Sequence, residues 1–185
     1  MNTLACALAL VAGSVASQAS GVVNVDIYSG HGTAGGGAPF SGLVGSFTSP
    51  DVMFATDTGY AWHPLGLGDF GADITGCLDV ASGYAGVLPF TLNSDDGSML
   101  YIDGSLVIDN GGGHPPATAA GWAAVTAGHH TFEIQFYEDF GGESGVDLYL
   151  PAGVSYTSCP DGGSTLALLG GAFLLVGSLN RRFRA

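Results

Sequence analysis

Two aspartates stand side by side in the run Asn93-Ser94-Asp95-Asp96-Gly97-Ser98. Adjacent carboxylates repel, and holding both ionised near one point calls for a positive charge between them. In a regular strand neighbouring side chains point to opposite faces. Asp95 and Asp96 can therefore face one ion only where the backbone turns sharply, at Gly97 or through a cis peptide between them. A hard dication such as Ca²⁺ gathers about six to eight oxygens from carboxylates, carbonyls and water. The spacing is not that of an EF-hand, because Ser98, not glycine, falls at the sixth position counted from Asn93. Spacing alone leaves two readings open, a cation site and a solvated turn.

The other candidate groups are less specific. Asp103 precedes Gly104 and reads as a turn former rather than a ligand. Asp109 and Asn110 open a Gly-rich loop ending at His114, and loop chemistry explains them. His129-His130 has no matching Cys/His set, which argues against zinc. No nucleophile motif or Gly-rich phosphate loop is present. Two carboxylates in one turn do not make a glycosidase pair, whose members come from separate elements about 5–9.5 Å apart. The expectation is therefore a binding or structural protein and not an enzyme, with a glycoside hydrolase as the weaker alternative.

Composition sets the class of partner. The chain has 185 residues, 16 acids against 3 bases, and a net charge of −13. The bases are Arg181, Arg182 and Arg184; between residues 20 and 160 lie 15 acids and no Lys or Arg. Such a body repels nucleic acid and anionic lipid and attracts cations. A solubilising acidic surface alone would give the same composition.

The two ends read as addresses. Residues 1–19 are an apolar run closing on Ser17-Gln18-Ala19, a small-x-small cleavage pattern, and are expected to be a signal peptide. The basic start usual for such a segment is missing, and a buried first helix is the alternative. Cys6 lies too near the start for a lipoprotein cysteine. At the other end stand Pro160-Asp161-Gly162-Gly163, then an apolar run over about 166–179, then the arginines. The run is short for a full span, which needs roughly 20 residues, and the arginines would face the cytoplasm. This three-part layout over 159–185 resembles the VPDSG/PEP-CTERM class of bacterial sorting signals. The resemblance implies an exosortase-type transpeptidase as partner, membrane attachment through a hydrophobic C-terminal helix before processing, and a position at the cell surface or in extracellular matrix. Cys159 departs from the valine usual there.

The intervening residues 20–157 read as one all-β domain. Phe132, Ile134 and Phe136 share a face against Thr131, Glu133 and Gln135. Val146, Leu148 and Leu150 alternate with Asp147 and Tyr149; Ile74, Leu78 and Val80 line another face, joined by Phe90 and Leu92. Asp103-Gly104 is a two-residue hairpin turn. Short strands with turn signals between them, and no helical period, predict an antiparallel β-sandwich or jelly roll. Residues 29–71, rich in Gly, Pro and aromatics, permit no firm strand assignment.

The runs "FTLNSDDGSMLYIDGSLVIDNGGGH" and "AGHHTFEIQFYED" resemble the core of the PA-14 domain. The resemblance covers about 21–156, most strongly 74–150. It implies a β-sandwich whose lectin-type members bind Ca²⁺ through adjacent aspartates joined by a cis peptide, and bind sugar hydroxyls through the Ca²⁺. Asp95 and Asp96 match that pair. The family's third ligand, often Asn, follows the tyrosine ending a later strand, which makes Asp139 the nearest match. Glu143 would line the same rim. Trp122 is a candidate for stacking on a sugar ring, although burial in the sandwich is the ordinary role expected of it and of Trp62. The partner implied is an extracellular glycan or exopolysaccharide; the alternative is a structural surface protein with no specific ligand.

Removal of the signal leaves Cys77 and Cys159 as the only cysteines, in an oxidising space. Cys77 falls on the strand face opposite Ile74, Leu78 and Val80. A bridge and two unrelated thiols are equally open from the sequence.

Overall fold

The computed structural model describes residues 23–31, 40–139 and 141–159. The expected signal peptide, the sorting motif Pro160-Asp161-Gly162-Gly163 and the C-terminal apolar run lie outside them. The described residues form two antiparallel sheets. The larger takes the order β2 (Ser41–Ser49), β1 (Val23–Gly30), β3 (Phe70–Val80), β8 (Gly128–Glu138), β5 (Ser98–Ile102), β6 (Ser105–Asn110). The short β10 (Val154–Thr157) pairs with β3 beyond the end of β1, so that β1 and β10 share one edge of that strand. The smaller sheet is β7 (Ala117–Val125), β4 (Gly86–Asp95), β9 (Gly145–Tyr149).

Alternation builds the core. On β8, Phe132, Ile134 and Phe136 are buried; on β3, Phe70, Ala72, Ile74, Leu78 and Val80 face them from the neighbouring strand. The register sets large against small, with Phe136 opposite Ala72 and Phe132 opposite Gly76. Phe90 and Leu92 of β4 and Val146 and Leu148 of β9 close the core from the smaller sheet. Each such side chain contributes roughly 1.5–3 kcal/mol by leaving water. At one end of the core Trp62 stacks on Phe54 at 4.3 Å and meets Phe70 and Phe136 at 5.3 and 5.4 Å, forming an aromatic floor.

Asp103 and Gly104 both take positive φ, 49° and 74°, and join β5 to β6 as expected of a primed hairpin turn. The stretch that resisted assignment contains β2, the short helix α1 (Phe54–Thr58) and a 3₁₀ turn at Pro64–Gly66. Asp147 is not on a solvent face: it is 0% exposed, because α1 covers that side of β9. Its carboxylate accepts the Ala55 and Thr56 N–H groups at 2.8 and 3.2 Å, and so caps the helix from another strand. Among the described residues no helix is long and apolar enough to cross a membrane.

Cys77 and Cys159 are joined by a disulfide, with their Cα atoms 5.1 Å apart. Cys77 lies opposite Thr157 of β10, which brings Cys159 back over the outer face of β3.

Candidate functional site

Three connections change sheets at one end of the sandwich, and all three meet there. The chain passes from β4 to β5 through Asp95, Asp96 and Gly97, from β6 to β7 through the loop holding His114, and from β8 to β9 through the loop holding Glu143. Asp95, Asp96, Gly113, His114, Glu138 and Glu143 line a recess of about 360 Å³ at this junction.

The Asp95-Asp96 peptide is cis. Asp95 is 7% exposed and Asp96 4%. Both oxygens of Asp96 are held by main chain: Oδ1 accepts the His114 N–H at 2.8 Å and Oδ2 the Asp139 N–H at 3.0 Å. Beneath them Ser94 and Ser98 share a hydroxyl–hydroxyl bond of 2.7 Å, and the Asn110 amide donates to Ser94 at 2.9 Å. These bonds tie β4, β5 and β6 together under the two aspartates. Gly97 is required by close approach, because a β-carbon there would run into the Tyr137 ring.

Asp95, Asp96 and Glu138 can each place a carboxylate oxygen within 4.8 Å of the others. Glu138 is 1% exposed and continues the inward series Phe132, Ile134, Phe136 at the end of β8, opposite Phe70 and above the aromatic floor. Burial pushes the Asp95 carboxyl above its ordinary value; the Asp96 and Glu143 carboxylates push it further, against the opposing pull of His114. No lysine or arginine occurs between residues 20 and 160 to offset this charge. Among the described residues, the donor set is all hard oxygen, as Ca²⁺ prefers.

The residues expected from the sequence are distributed as follows. Asp95 and Asp96 converge. Glu143 lines the recess. Asp139 contributes its N–H rather than its carboxylate, which lies 3.6 Å from Nε2 of His31. The reason is strand alternation, which turns residue 139 away from the side that residue 138 faces. Glu138 is the acid that joins Asp95 and Asp96, and the same alternation that places Phe136 inward would have found it. Trp62 is buried, at 6% exposed, but Trp122 is not a core tryptophan: it is 67% exposed. It stands on the outer face of β7 opposite Pro89, away from the recess. Asp103 is a turn former held by His130 Nδ1 at 2.6 Å and the Thr131 N–H at 2.9 Å.

The family model of the PA14 domain matches residues 29–163, and that of the VPDSG-CTERM motif matches residues 159–183. No curated protein matches the chain. Among solved structures, the PA14 domain of the MpAFP antifreeze protein superposes with a TM-score of 0.52 at 16% identity, over 78% of this chain and 84% of that one. An anti-sigma factor domain-containing protein from Clostridium clariflavum gives 0.54 at 15% identity, over 74% of this chain and 44% of that one. A β-glucosidase from Kluyveromyces marxianus gives 0.50 at 14% identity, over 71% of this chain but only 16% of the enzyme. The likeness is therefore to a domain and not to the whole of the larger proteins. By the extent of the family match and the fold that carries it, the chain belongs to the PA14 domain family and ends in a VPDSG-CTERM motif.

Proposed function

We propose that this is an exported surface or matrix protein of a bacterium whose PA14 domain binds Ca²⁺ at Asp95, Asp96 and Glu138 and, through it, a carbohydrate. The observation that carries the reading is the convergence of three buried carboxylates, within 4.8 Å of one another, in a body without lysine or arginine. Leaving three ionised acids in such a place is costly without a counter-ion. Convergence on one point, rather than two acids across a cleft, supports a cation over an acid–base pair for hydrolysis.

Bound Ca²⁺ would offset two of the three negative charges and offer its remaining positions to neighbouring sugar hydroxyls. The chain's own residues do the rest. The His114 and Asp139 N–H groups fix the orientation of Asp96. The His114 loop and Glu143 form the walls that choose which hydroxyls enter. Glu143 accepts hydrogen bonds from a sugar and repels an acidic one.

Export is supported by the apolar start, the match to the sorting motif and the disulfide. The tail would be handled by a sorting transpeptidase. A glycan array probed with the full-length protein in Ca²⁺ and again in excess chelator tests the reading. Binding of a neutral glycan in Ca²⁺ that is lost with chelator is the expected result. An array blank in both conditions would contradict carbohydrate as the ligand.

A further inference from the structure

We propose that the outer face of the three-stranded sheet, continued into the cleft beside Tyr149, is a second contact surface for an uncharged polysaccharide chain, independent of the cation site. Trp122 is 67% exposed, Val87 64% and Tyr149 43%. These three large apolar side chains share one face, where they include the most exposed of the described large apolar residues, Trp122, and exposed apolar patches mark interaction sites.

The register gives the layout. Trp122 lies opposite Pro89, and Tyr149 opposite Thr91, the next residue on the same face of β4. The two aromatic rings thus flank the central strand on one side of the sheet. Two strand spacings set them about 10 Å apart across the sheet and two residues offset them about 7 Å along it, roughly 12 Å in all. That separation suits a short run of linked sugar rings lying across the strand. The C–H face of a sugar ring packs on an aromatic face, and an aromatic side chain loses little conformational freedom in receiving it.

Beyond Tyr149 the surface drops into a cleft of about 590 Å³ lined by Asp51, Met53 and Tyr156. Its volume falls in the range of ligand pockets, roughly 300–1,000 Å³. Mostly apolar walls with one carboxylate as acceptor suit a ligand with apolar faces and hydroxyl edges.

Charge selects the occupant. The exposed part of the sheet face carries no carboxylate, lysine, arginine or histidine; Asp147 and Asp95, which share the face, are buried, the first under α1. The body around it holds 15 acids and no Lys or Arg between residues 20 and 160, so it repels acidic polymers and further copies of itself. An uncharged polyhydroxyl chain meets an uncharged face. Pro89 lies six positions before Asp95 on β4, about 20 Å along the strand, and Thr91, opposite Tyr149, four positions, about 13 Å, so a ligand on this face need not touch the cation site.

Affinity electrophoresis of the full-length protein through gels containing hydroxyethyl cellulose, galactomannan or dextran, all with excess EDTA, tests this. Retardation by at least one polymer is expected, weakened roughly tenfold or more in Trp122→Ala and in Tyr149→Ala. Trp122 is largely exposed, so its replacement leaves the thermal midpoint unchanged and separates lost binding from lost fold. No retardation with any of the polymers would overturn the proposal, as would equal retardation of wild type and Trp122→Ala. Light scattering that shows a dimer, converted to monomer by Trp122→Ala, would assign the face to self-association instead. Since the gels contain chelator, failure here is distinct from failure of the Ca²⁺-dependent reading.

Discussion

Asp139 donates its backbone N–H to Oδ2 of Asp96 at 3.0 Å, while its own carboxylate lies 3.6 Å from Nε2 of His31. Its neighbour Glu138 turns the other way and joins Asp95 and Asp96 inside the recess. Adjacent acids at a strand end thus do different work, one through the side chain and one through the main chain.

Substitution should separate these roles. Glu138→Gln is expected to weaken Ca²⁺ binding by about tenfold or more, equivalent to ~1.4 kcal/mol. Asp139→Asn keeps the N–H and should change affinity by less than about threefold, because only a partly exposed charge beyond the ligand set is lost. Calorimetric titration of both variants checks this. A larger loss in Asp139→Asn than in Glu138→Gln would reverse the assignment.

Gly97→Ala should damage both fold and site. The added methyl would meet the ring of Tyr137, which is 1% exposed and stacked on His31 at 5.6 Å. Overpacking of this kind costs roughly 1–3 kcal/mol. The Asp95-Asp96-Gly97 crossover would shift with it. Thermal unfolding should show a lower midpoint, and Ca²⁺ should restore less of it than in the wild type.

The Asp103–His130 pair predicts a pH window. The hydrogen bond that His130 donates to Asp103, outweighing burial, raises the His130 pKa above 6.5. Burial raises that of Asp103, but the bonds from His130 and Thr131 outweigh it and leave the group below 3.8. The imidazole's contribution is complete below the unfolded histidine value and is lost as pH rises through the higher folded one. The carboxylate's is complete above the unfolded aspartate value and is lost as pH falls through the lower folded one. Both are whole between about pH 4 and 6.5. Asp103→Asn, which tolerates the same turn, should therefore lower the thermal midpoint most near pH 5 and least near pH 9. An equal loss at both would remove the charge from the account.

The Cys77–Cys159 bridge closes a loop of sequence separation 82. By chain entropy such a loop contributes about 4 kcal/mol. Cys159→Ala should lower the unfolding midpoint, and peptide mapping of the denatured, unreduced chain should find neither Cys77 nor Cys159 reactive to a thiol label. Labelling at both would remove the bridge. Because Cys159 begins the matched sorting motif, the bridge also anchors the root of that tail to β3.

Much of this was legible in the residues. The alternation of Phe132, Ile134 and Phe136, the Asp103-Gly104 turn and the paired aspartates all follow from local patterns, and local patterns survive folding. The stretch over 29–71 was not legible, because β2 pairs only with β1 and α1 is capped from distant Asp147. Asp147 lies far away in sequence, and β2, nowhere fully buried, carries little inward pattern of its own. Trp122 was misjudged for a related reason. Its strand has a regular inward set in Gly121, Ala123 and Val125, and a tryptophan on the other face points outward however apolar it is. Glu138 was within reach of the period that placed Phe136.

The central claim is tested most directly by calorimetric titration of Ca²⁺ into the full-length protein and its Asp95→Asn variant, after exhaustive chelation and at one pH. One Ca²⁺ bound per chain by the wild type and none by the variant, with circular dichroism showing both equally folded, is the result the account predicts. Equal heats in the two proteins, or none in either, would contradict it.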